Sequence, residues 1–505
     1  MPLTHVTSAA LFGLEAVPIE IEVDGKQSEK SYLIIVGLPD AAIKESKDRI
    51  FSALRHSHLF SENFLGTVNL APAALKKEGA LYDLPIAIAI LKALGKSSNS
   101  LDDYLYIGEL ALSGQLRTLR GALSAALLAK RLGKRGILLP LANANEAALV
   151  RGIEIIGIET LAQAWRFIQN PSAHPPQQFD IEKKETIEQN DEFDMSAILG
   201  QSHVKRALEI AAAGHHNVLL SGPPGTGKTM LAKALPTIMP PLSFDEAIEV
   251  TRIHSVAGTL PSHQSLIRLR PFRAPHHSAS SIALIGGSSR PRPGELTLAH
   301  LGVLFLDELP EFSRATLETL RQPLEERQVT IARALGTVTF PADCLFIAAM
   351  NPCPCGHLGH PQKPCRDSVN AIHRYRSKIS GPLLERIDLH VEVPVPSLQE
   401  LEKTTSSESS AMIRARVIKA RQKQHSRFHS SRANSSLKAL ELQRYAHLSS
   451  ECETIARAAT MSMGLSMRGY HRLIKVARTI ADLSDQEQIG EEHLLEALTY
   501  RSQAP

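Results

Sequence analysis

His216-Asn217-Val218-Leu219-Leu220-Ser221 runs straight into Gly222-Pro223-Pro224-Gly225-Thr226-Gly227-Lys228-Thr229, and MLAKAL follows. The first six residues read as a short apolar strand and the last as the start of a helix. Glycines 222, 225 and 227 let the intervening loop curl until successive backbone N–H groups face a phosphate. The helix N-terminus adds its partial positive charge. In this setting Lys228 can reach β- and γ-phosphates, and the Thr229 hydroxyl can ligate Mg²⁺.

Working outward, Val303-Leu304-Phe305-Leu306 is a second buried-strand run, ending in Asp307-Glu308. An acid at the carboxyl end of a core strand beside such a loop can hold the Mg²⁺ shell, which falls to Asp307. Glu308 can orient and deprotonate an attacking water. A third strand, CLFIAAMN, ends in Asn351. Asn351 should lie between the two earlier strand ends and position that water. Parallel strands of an α/β sheet present their carboxyl ends to one crevice, so the three polar ends predict one ATP-hydrolysing site that uses ATP and Mg²⁺.

The blocks HVKRALEIAAAGHHNVLLSGPPGTGKT, LRPFRAPHHSASS, RPRPGELTLAHLGVLFLDELPEF, AAMNPCPCG and SGPLLERIDLHVEVP together resemble the magnesium-chelatase-like AAA+ family. The resemblance extends over nearly the whole chain. It implies an α/β fold: an AAA+ P-loop ATPase core at 196–400, a helical lid at 410–505, and a Lon-protease-like α/β domain at 1–170 ahead of a linker at 171–195. It also implies that Lys228 and Thr229 belong to Walker A, Asp307 and Glu308 to Walker B, and Asn351 to sensor 1. Arg386, in LLERID, resembles an arginine finger that reaches a neighbouring subunit's γ-phosphate. Arg468, in SMRGYHR, resembles the sensor-2 arginine of the lid. A guanidinium supplied in trans would stabilise transition-state charge. The resemblance further implies a homo-oligomeric ring, a hexamer, and a DNA motor driving branch migration during natural transformation. The same core would also serve a chelatase-type ATPase subunit or a protein-remodelling chaperone.

Contacts to DNA, single-stranded or branched, have two candidate carriers. Ser265–Pro293 contains no acid but carries Arg268, Arg270, Arg273, Arg290 and Arg292, with His276 and His277. Within it, ALIGGSSRPRPGE offers glycine and proline for a loop tip bearing Arg290 and Arg292, in the place where the family inserts a pore-facing hairpin. Cations on such a tip suit phosphate tracking. The second carrier is QVTIARALGTVTFPA. Its alternation of Val329 and Ile331 with Val338 and Phe340 about a glycine reads as a β-hairpin with Arg333 near the tip.

Directly after Asn351 comes CPCGHLGHPQKPC. Cys353, Cys355 and Cys365 with His357 and His360 supply enough soft ligands for a structural, tetrahedral Zn²⁺ site in the loop 353–367. The family often has a second C-x-C, whereas position 367 here is Asp, so His360 or His357 is expected to supply the fourth ligand.

The amino-terminal domain alternates strands (IEIEVDG, SYLIIVGL) with helices (LPIAIAILKALG, LSAALLAKRLG). A Lon-type peptidase needs a serine activated by a lysine. Glu78–Asp83 stands where the serine would fall, and only Arg117 and Arg120 stand where the lysine would, so this domain should be inactive. The linker has seven acids against two lysines between Asp180 and Asp194, which favours a solvated tether. With 56 Lys+Arg against 52 Asp+Glu, the net charge of +4 names no partner by itself. Five cysteines, an unremarkable amino terminus and no long apolar run predict a soluble, cytoplasmic protein without membrane contact.

Overall fold

The computed structural model describes residues 3–60, 63–77, 79–96, 100, 102–171, 175–176, 193–261, 264–287, 291–333, 336–395 and 408–501. The expected linker at 171–195 falls mostly outside them. The chain divides into two compact units, one comprising residues 1–186 with 247–267 and the other 187–246 with 268–505.

In the first unit, β1 (Thr4–Phe12), β2 (Glu15–Ser28), β3 (Tyr32–Val36) and β4 (Asn63–Ala71) form a sheet in the order β1-β2-β4-β3, with only the β3–β4 pair parallel. Period-two patterning sets the faces of β2: Ile19, Ile21 and Val23 are fully buried while Glu20, Glu22 and Asp24 alternate with them. Helix α1 (Ala41–His56) packs beside α2 (Asp83–Ala93), whose side chains are buried nearly all round. That burial explains its unbroken apolar sequence. Beyond them, β5 (Tyr104–Tyr106), β8 (Gly136–Pro140) and β9 (Glu154–Ile158) make a parallel sheet, and β6 (Glu109–Leu110) pairs with β7 (Leu116–Arg117). Helices α3 (Ala122–Arg131), α4 (Leu141–Ala147) and α5 (Leu161–Gln169) complete the unit.

One segment of this unit comes from far along the chain. After α6 (Ser202–Gly214) and α7 (Lys228–Ile238) comes α8 (Phe244–Ala257). Arg252 of α8 donates to the Leu14 carbonyl at 2.9 Å, and the Ser255 hydroxyl donates to Glu146 while accepting from Gly121 N at 3.0 Å. The sequence places 247–267 inside the 196–400 core. Its partners are non-local, so no local signal marks the change of unit.

The second unit is built on five parallel strands: β10 (Val218–Ser221), β11 (Phe272–Arg273), β14 (Val303–Leu306), β17 (Leu345–Met350) and β18 (Leu389–Glu392), in the order β11-β14-β17-β10-β18. Every residue of β14 and β17 is buried, as expected of parallel strands covered on both faces. Two hairpins stand apart from this sheet: β12 (Gly286–Gly287) with β13 (Arg292–Pro293), and β15 (Gln328–Arg333) with β16 (Gly336–Pro341). The carboxyl-terminal helices, from Ser410–Phe428 to Glu491–Thr499, share the sheet's core. Leu220, Ile347 and Val391 pack in one cluster with Val417, Leu473, Ile480 and Leu494. Among the described residues, no helix is long and apolar enough to cross a membrane.

Polar anchors fix the helices to the sheet. Asp388, at the start of β18, accepts from Asn217 N at 3.1 Å and from Arg472 at 2.8 Å, and lies 3.4 Å from His216 Nδ1. The other ring nitrogen of His216 meets the Thr479 hydroxyl at 2.8 Å. Burial would raise the Asp388 pKa, but Arg472 and His216 outweigh it and hold the carboxyl far below its usual range. On the same strand, burial and then the Arg501 charge push His390 down to about 4.

A histidine depressed in the folded state keeps its full stability contribution above its unfolded pKa and loses it as the pH falls. For His390 that window runs from 6.5 down to about 4, worth about 3 kcal/mol at its lower end. Thermal unfolding followed across this range should therefore show a shallower acid decline in His390→Gln than in the native chain, with matching midpoints near pH 7.5.

Candidate functional site

The loop after β10 is held at both edges. Gly222 N donates to the Met350 carbonyl at 3.2 Å, and a Cβ at Gly222 would lie 2.2 Å from the Val393 carbonyl oxygen, so only glycine fits. Gly227, at φ +83°, turns the chain into α7. Lys228 is buried, and its ammonium donates to the carbonyls of Gly222 (2.7 Å) and Pro223 (2.9 Å) and to Asn351 Oδ1 (3.3 Å). Burial lowers its pKa, opposed by Asp307. The Thr226 hydroxyl closes the loop on the Pro223 carbonyl at 3.0 Å.

The expected neighbours converge here. The Thr229 hydroxyl donates to Asp307 Oδ2 at 3.0 Å, and Asp307 Oδ1 accepts from Glu308 N at 2.9 Å. A hydroxyl beside a carboxylate at a phosphate-sized loop is a hard oxygen pair that fits Mg²⁺. β17 lies between β14 and β10, which puts Asn351 between Glu308 and the loop. The Tyr375 hydroxyl engages the Asn351 backbone, and burial pushes that phenol up to about 12.

Sequence reasoning missed two partners. Glu308 is exposed and sits at φ +50°, a backbone region that a residue of its type seldom enters. Its carboxylate lies 3.2 Å from His277 Nδ1. His277, grouped in the sequence with DNA-facing cations, instead packs between His276 and Phe312 against this acid. The second partner is Asp367. Its carboxylate accepts from Cys355 N at 2.8 Å and lies 3.8 Å from Cys365 Sγ. The three sulfurs stand 3.4, 3.6 and 3.6 Å apart. A tetrahedron with metal–sulfur bonds of about 2.3 Å has edges of about 3.8 Å, so the four ligand atoms fit one zinc ion. His360 corrects the sequence expectation: its Nδ1 accepts from the backbone of Gln362 and Lys363 at 3.1 Å each, capping a turn away from the thiols. Position 367, read as the weak point of the cluster, places a carboxylate oxygen among the three sulfurs as a candidate fourth ligand atom.

Other expected residues lie elsewhere. Arg386 precedes β18, at the sheet edge opposite the phosphate loop. It is turned into its own chain, with one nitrogen on Glu325 and another 2.7 Å from the Pro382 carbonyl. Arg468 is exposed in the first turn of the helix Met467–Leu483. Arg292 is exposed on β13, whereas Arg290 and the Arg333 side chain lie outside the described residues. Two arginines of the acid-free stretch are structural. Arg273 grips Glu295 at 2.6 and 2.8 Å, and Arg270 donates to the carbonyls of Pro240 and Leu301.

A strand–loop–helix phosphate cradle, with an acid pair and an asparagine on adjacent parallel strands, defines a P-loop ATPase of AAA+ type. The chain matches the family described as magnesium chelatase, subunit ChlI, over 194–401, its carboxyl-terminal part over 407–501, and a further ChlI family over 19–143. It is 43% identical to competence protein ComM of Haemophilus influenzae, covering 99% of this chain and 98% of that one. Identity to the YifB protein of Escherichia coli is 42%, over 99% and 97% respectively. A shorter likeness, 24% over 38% of this chain and 20% of the other, links it to the DNA replication licensing factor Mcm2 of Drosophila melanogaster. The chain belongs to the ComM and YifB type of magnesium-chelatase-like AAA+ ATPases, a family that implies ATP and Mg²⁺.

The cysteine loop leans on the phosphate loop. A Cβ at Gly356 (φ +78°) would come 2.8 Å from Pro224 Cδ, while Gly359, at the same φ, has open space around it. Both alanine variants should lose roughly 1–2 kcal/mol to left-handed backbone strain. Only Gly356→Ala should also weaken Mg-ATP binding, by several-fold in an equilibrium titration with a fluorescent nucleotide; equal affinities in the two variants would refute the contact's influence.

Proposed function

We propose that the chain is an ATP-driven DNA motor that works as a ring of copies and promotes branch migration as incoming DNA is integrated during natural transformation. The observation that carries the reading is the convergence of Lys228, the Thr229–Asp307 pair, Glu308 and Asn351 on adjacent strand ends. In this reading the Lys228 ammonium leaves its loop carbonyls for the β- and γ-phosphates. Asp307 and Thr229 would hold Mg²⁺, which would supply charge neutralisation at the phosphates. Glu308 takes the proton of a water that Asn351 orients, and the charge developing on the γ-phosphoryl is met by cations already in place.

Arg386 flanks the edge of the sheet away from its own crevice, which supports action on the nucleotide of another copy, after release from Glu325. Arg468 would approach the same nucleotide from the carboxyl-terminal helices. The DNA assignment is supported by the exposed Arg292 on a two-strand hairpin, by the second hairpin carrying Arg333, and by the names of two relatives, a competence protein and a replication licensing factor. His277 lies on the same stretch as the first hairpin and touches Glu308, which gives DNA a short covalent route to the hydrolytic carboxylate. The ChlI family names favour a second reading, an ATPase subunit of a metal-inserting chelatase; stimulation of hydrolysis by DNA separates the two.

The cysteine loop, in this proposal, carries a structural Zn²⁺ bound by Cys353, Cys355, Cys365 and Asp367. That ion would brace the turn between Asn351 and the helix that begins at Val369. Three thiolates and a carboxylate would supply four anionic donors in the tetrahedral arrangement that zinc takes.

Unwinding or branch migration of a four-way junction should proceed with the native chain and ATP. It should fall about a hundredfold or more in Lys228→Ala and Glu308→Gln. Arg292→Ala should keep its basal ATPase while the salt dependence of DNA binding becomes shallower by about one ion. A native chain that moves no DNA and gains no turnover from it would end the motor reading. For the metal, elemental analysis should find one zinc per native chain and per His360→Ala chain, but far less in Asp367→Ala; zinc near zero in the native protein would refute the site.

A further inference from the structure

The parallel sheet of the second unit has a second concave region, at the amino ends of its strands and thus on the edge away from the phosphate loop. A cavity of about 490 Å³ opens there, lined by residues that lead into successive strands (His215, Arg270, Leu301, Asp343) and by the helix Ser410–Phe428. The volume is in the range of small-molecule sites.

Its walls are unequally charged. Arg270, Arg327 and Arg421 face Glu246 and Asp343. Both carboxylates are engaged: Asp343 lies 3.0 Å from His215 Nε2 and 3.2 Å from Arg327, and Glu246 accepts from Ser243 N at 2.8 Å with Arg270 at 3.9 Å. Arg421 is left over. Its guanidinium donates to the Gln424 side chain at 3.2 Å and the Ser431 carbonyl at 2.7 Å, with no carboxylate in ion-pair reach among the described residues. Burial, then the neighbouring Arg270 charge, pushes it down to about 10, while the Asp343 and Glu246 charges oppose that shift from beyond ion-pair reach. The Ser430 hydroxyl, on the same wall, is buried with no hydrogen-bond partner. Met239, Leu242 and Ile418 add apolar lining.

The cavity therefore asks for an anion that can accept several hydrogen bonds from planar guanidinium donors and a hydroxyl, joined to an apolar body that the apolar lining can cover. A carboxylate suits the first demand less well, because it presents two oxygens where a phosphoryl group presents three. We propose that this cavity binds a small organic phosphate monoester of about mononucleotide size, its phosphoryl group on Arg421 and Ser430 and its apolar part against Met239, Leu242 and Ile418. The Ser243 hydroxyl and the Glu246 carboxylate on its wall each accept from the other's backbone N–H, so neither is offered as half of a Mg²⁺ pair and binding should not need Mg²⁺. The ligand would bridge the helix Ser410–Phe428 to the strand starts, at a distance from the hydrolytic crevice that leaves both sites free to be filled together.

Isothermal titration of the full-length Lys228→Ala chain in EDTA, with inorganic phosphate and with AMP, isolates the cavity from the phosphate loop. Both probes should bind, AMP more tightly, and Arg421→Gln in the same background should weaken both at least about tenfold, the loss of one charge-assisted hydrogen bond. Ser430→Ala, a change too small to threaten folding, should weaken both several-fold. Failure of both probes to bind, or affinities unmoved by Arg421→Gln and Ser430→Ala, would overturn the site. AMP binding no more tightly than phosphate would overturn the organic part of the assignment. These readouts involve neither DNA nor hydrolysis, so they stand or fall apart from the motor reading.

Discussion

One buried carboxylate, Asp388, holds the second unit in register. It receives a backbone N–H from the approach to β10, a guanidinium from the helix Met467–Leu483, and the His216 ring. Two segments distant in sequence, 216–217 and the helix carrying Arg472, thus end on the two carboxylate oxygens of a third. A buried charge of this kind adds little net stability relative to an apolar substitute, but removing one of its partners costs about 3–5 kcal/mol. The constraint is geometric. Because β10 pairs with both β17 and β18, fixing the start of β10 fixes where its far end delivers the phosphate loop. The carboxyl-terminal helices are pinned to the same point.

That delivery accounts for the chemistry at the opposite edge. Strand order, rather than sequence order, brings Asn351 between the acid pair and Lys228. The carbonyls of Gly222 and Pro223 satisfy a buried ammonium that would otherwise be costly to hold in place. The cysteine loop braces the same region from outside, through Gly356 against Pro224. Phosphate loop, sensor asparagine and cysteine cluster therefore form one mechanical assembly, although they read in the sequence as separate motifs.

Much of this was legible from residues alone wherever the chemistry is dictated by neighbours in the chain. The phosphate loop, the fully apolar strands β14 and β17, and the hairpin β15–β16 follow from local pattern: glycine placement, unbroken apolar runs, and alternation about a turn; the hairpin β12–β13 was expected from the family resemblance. What sequence missed depends on distant partners. Arg270 and Arg273 look like free cations until Glu295 and the Pro240 and Leu301 carbonyls are seen to hold them. His360 looked a better metal ligand than Asp367 because imidazole is the commoner zinc donor, yet backbone N–H groups of its own turn occupy it. The inward turn of Arg386 onto Glu325 and the contact of His277 with Glu308 are likewise invisible in one dimension.

The excursion of residues 247–267 into the first unit means that the polypeptide passes from one unit to the other three times, near 186, 246 and 267. No single scission separates the two. An excision of the leading segment would leave α8 behind with Arg252 and Ser255 stripped of Leu14 and Glu146, stranding a helix with an uncovered face midway between the phosphate-loop helix and β11. Dissection into independently expressed halves is therefore a poor strategy for this architecture, and a circular permutant or a paired deletion that removes both pieces would be the sounder design.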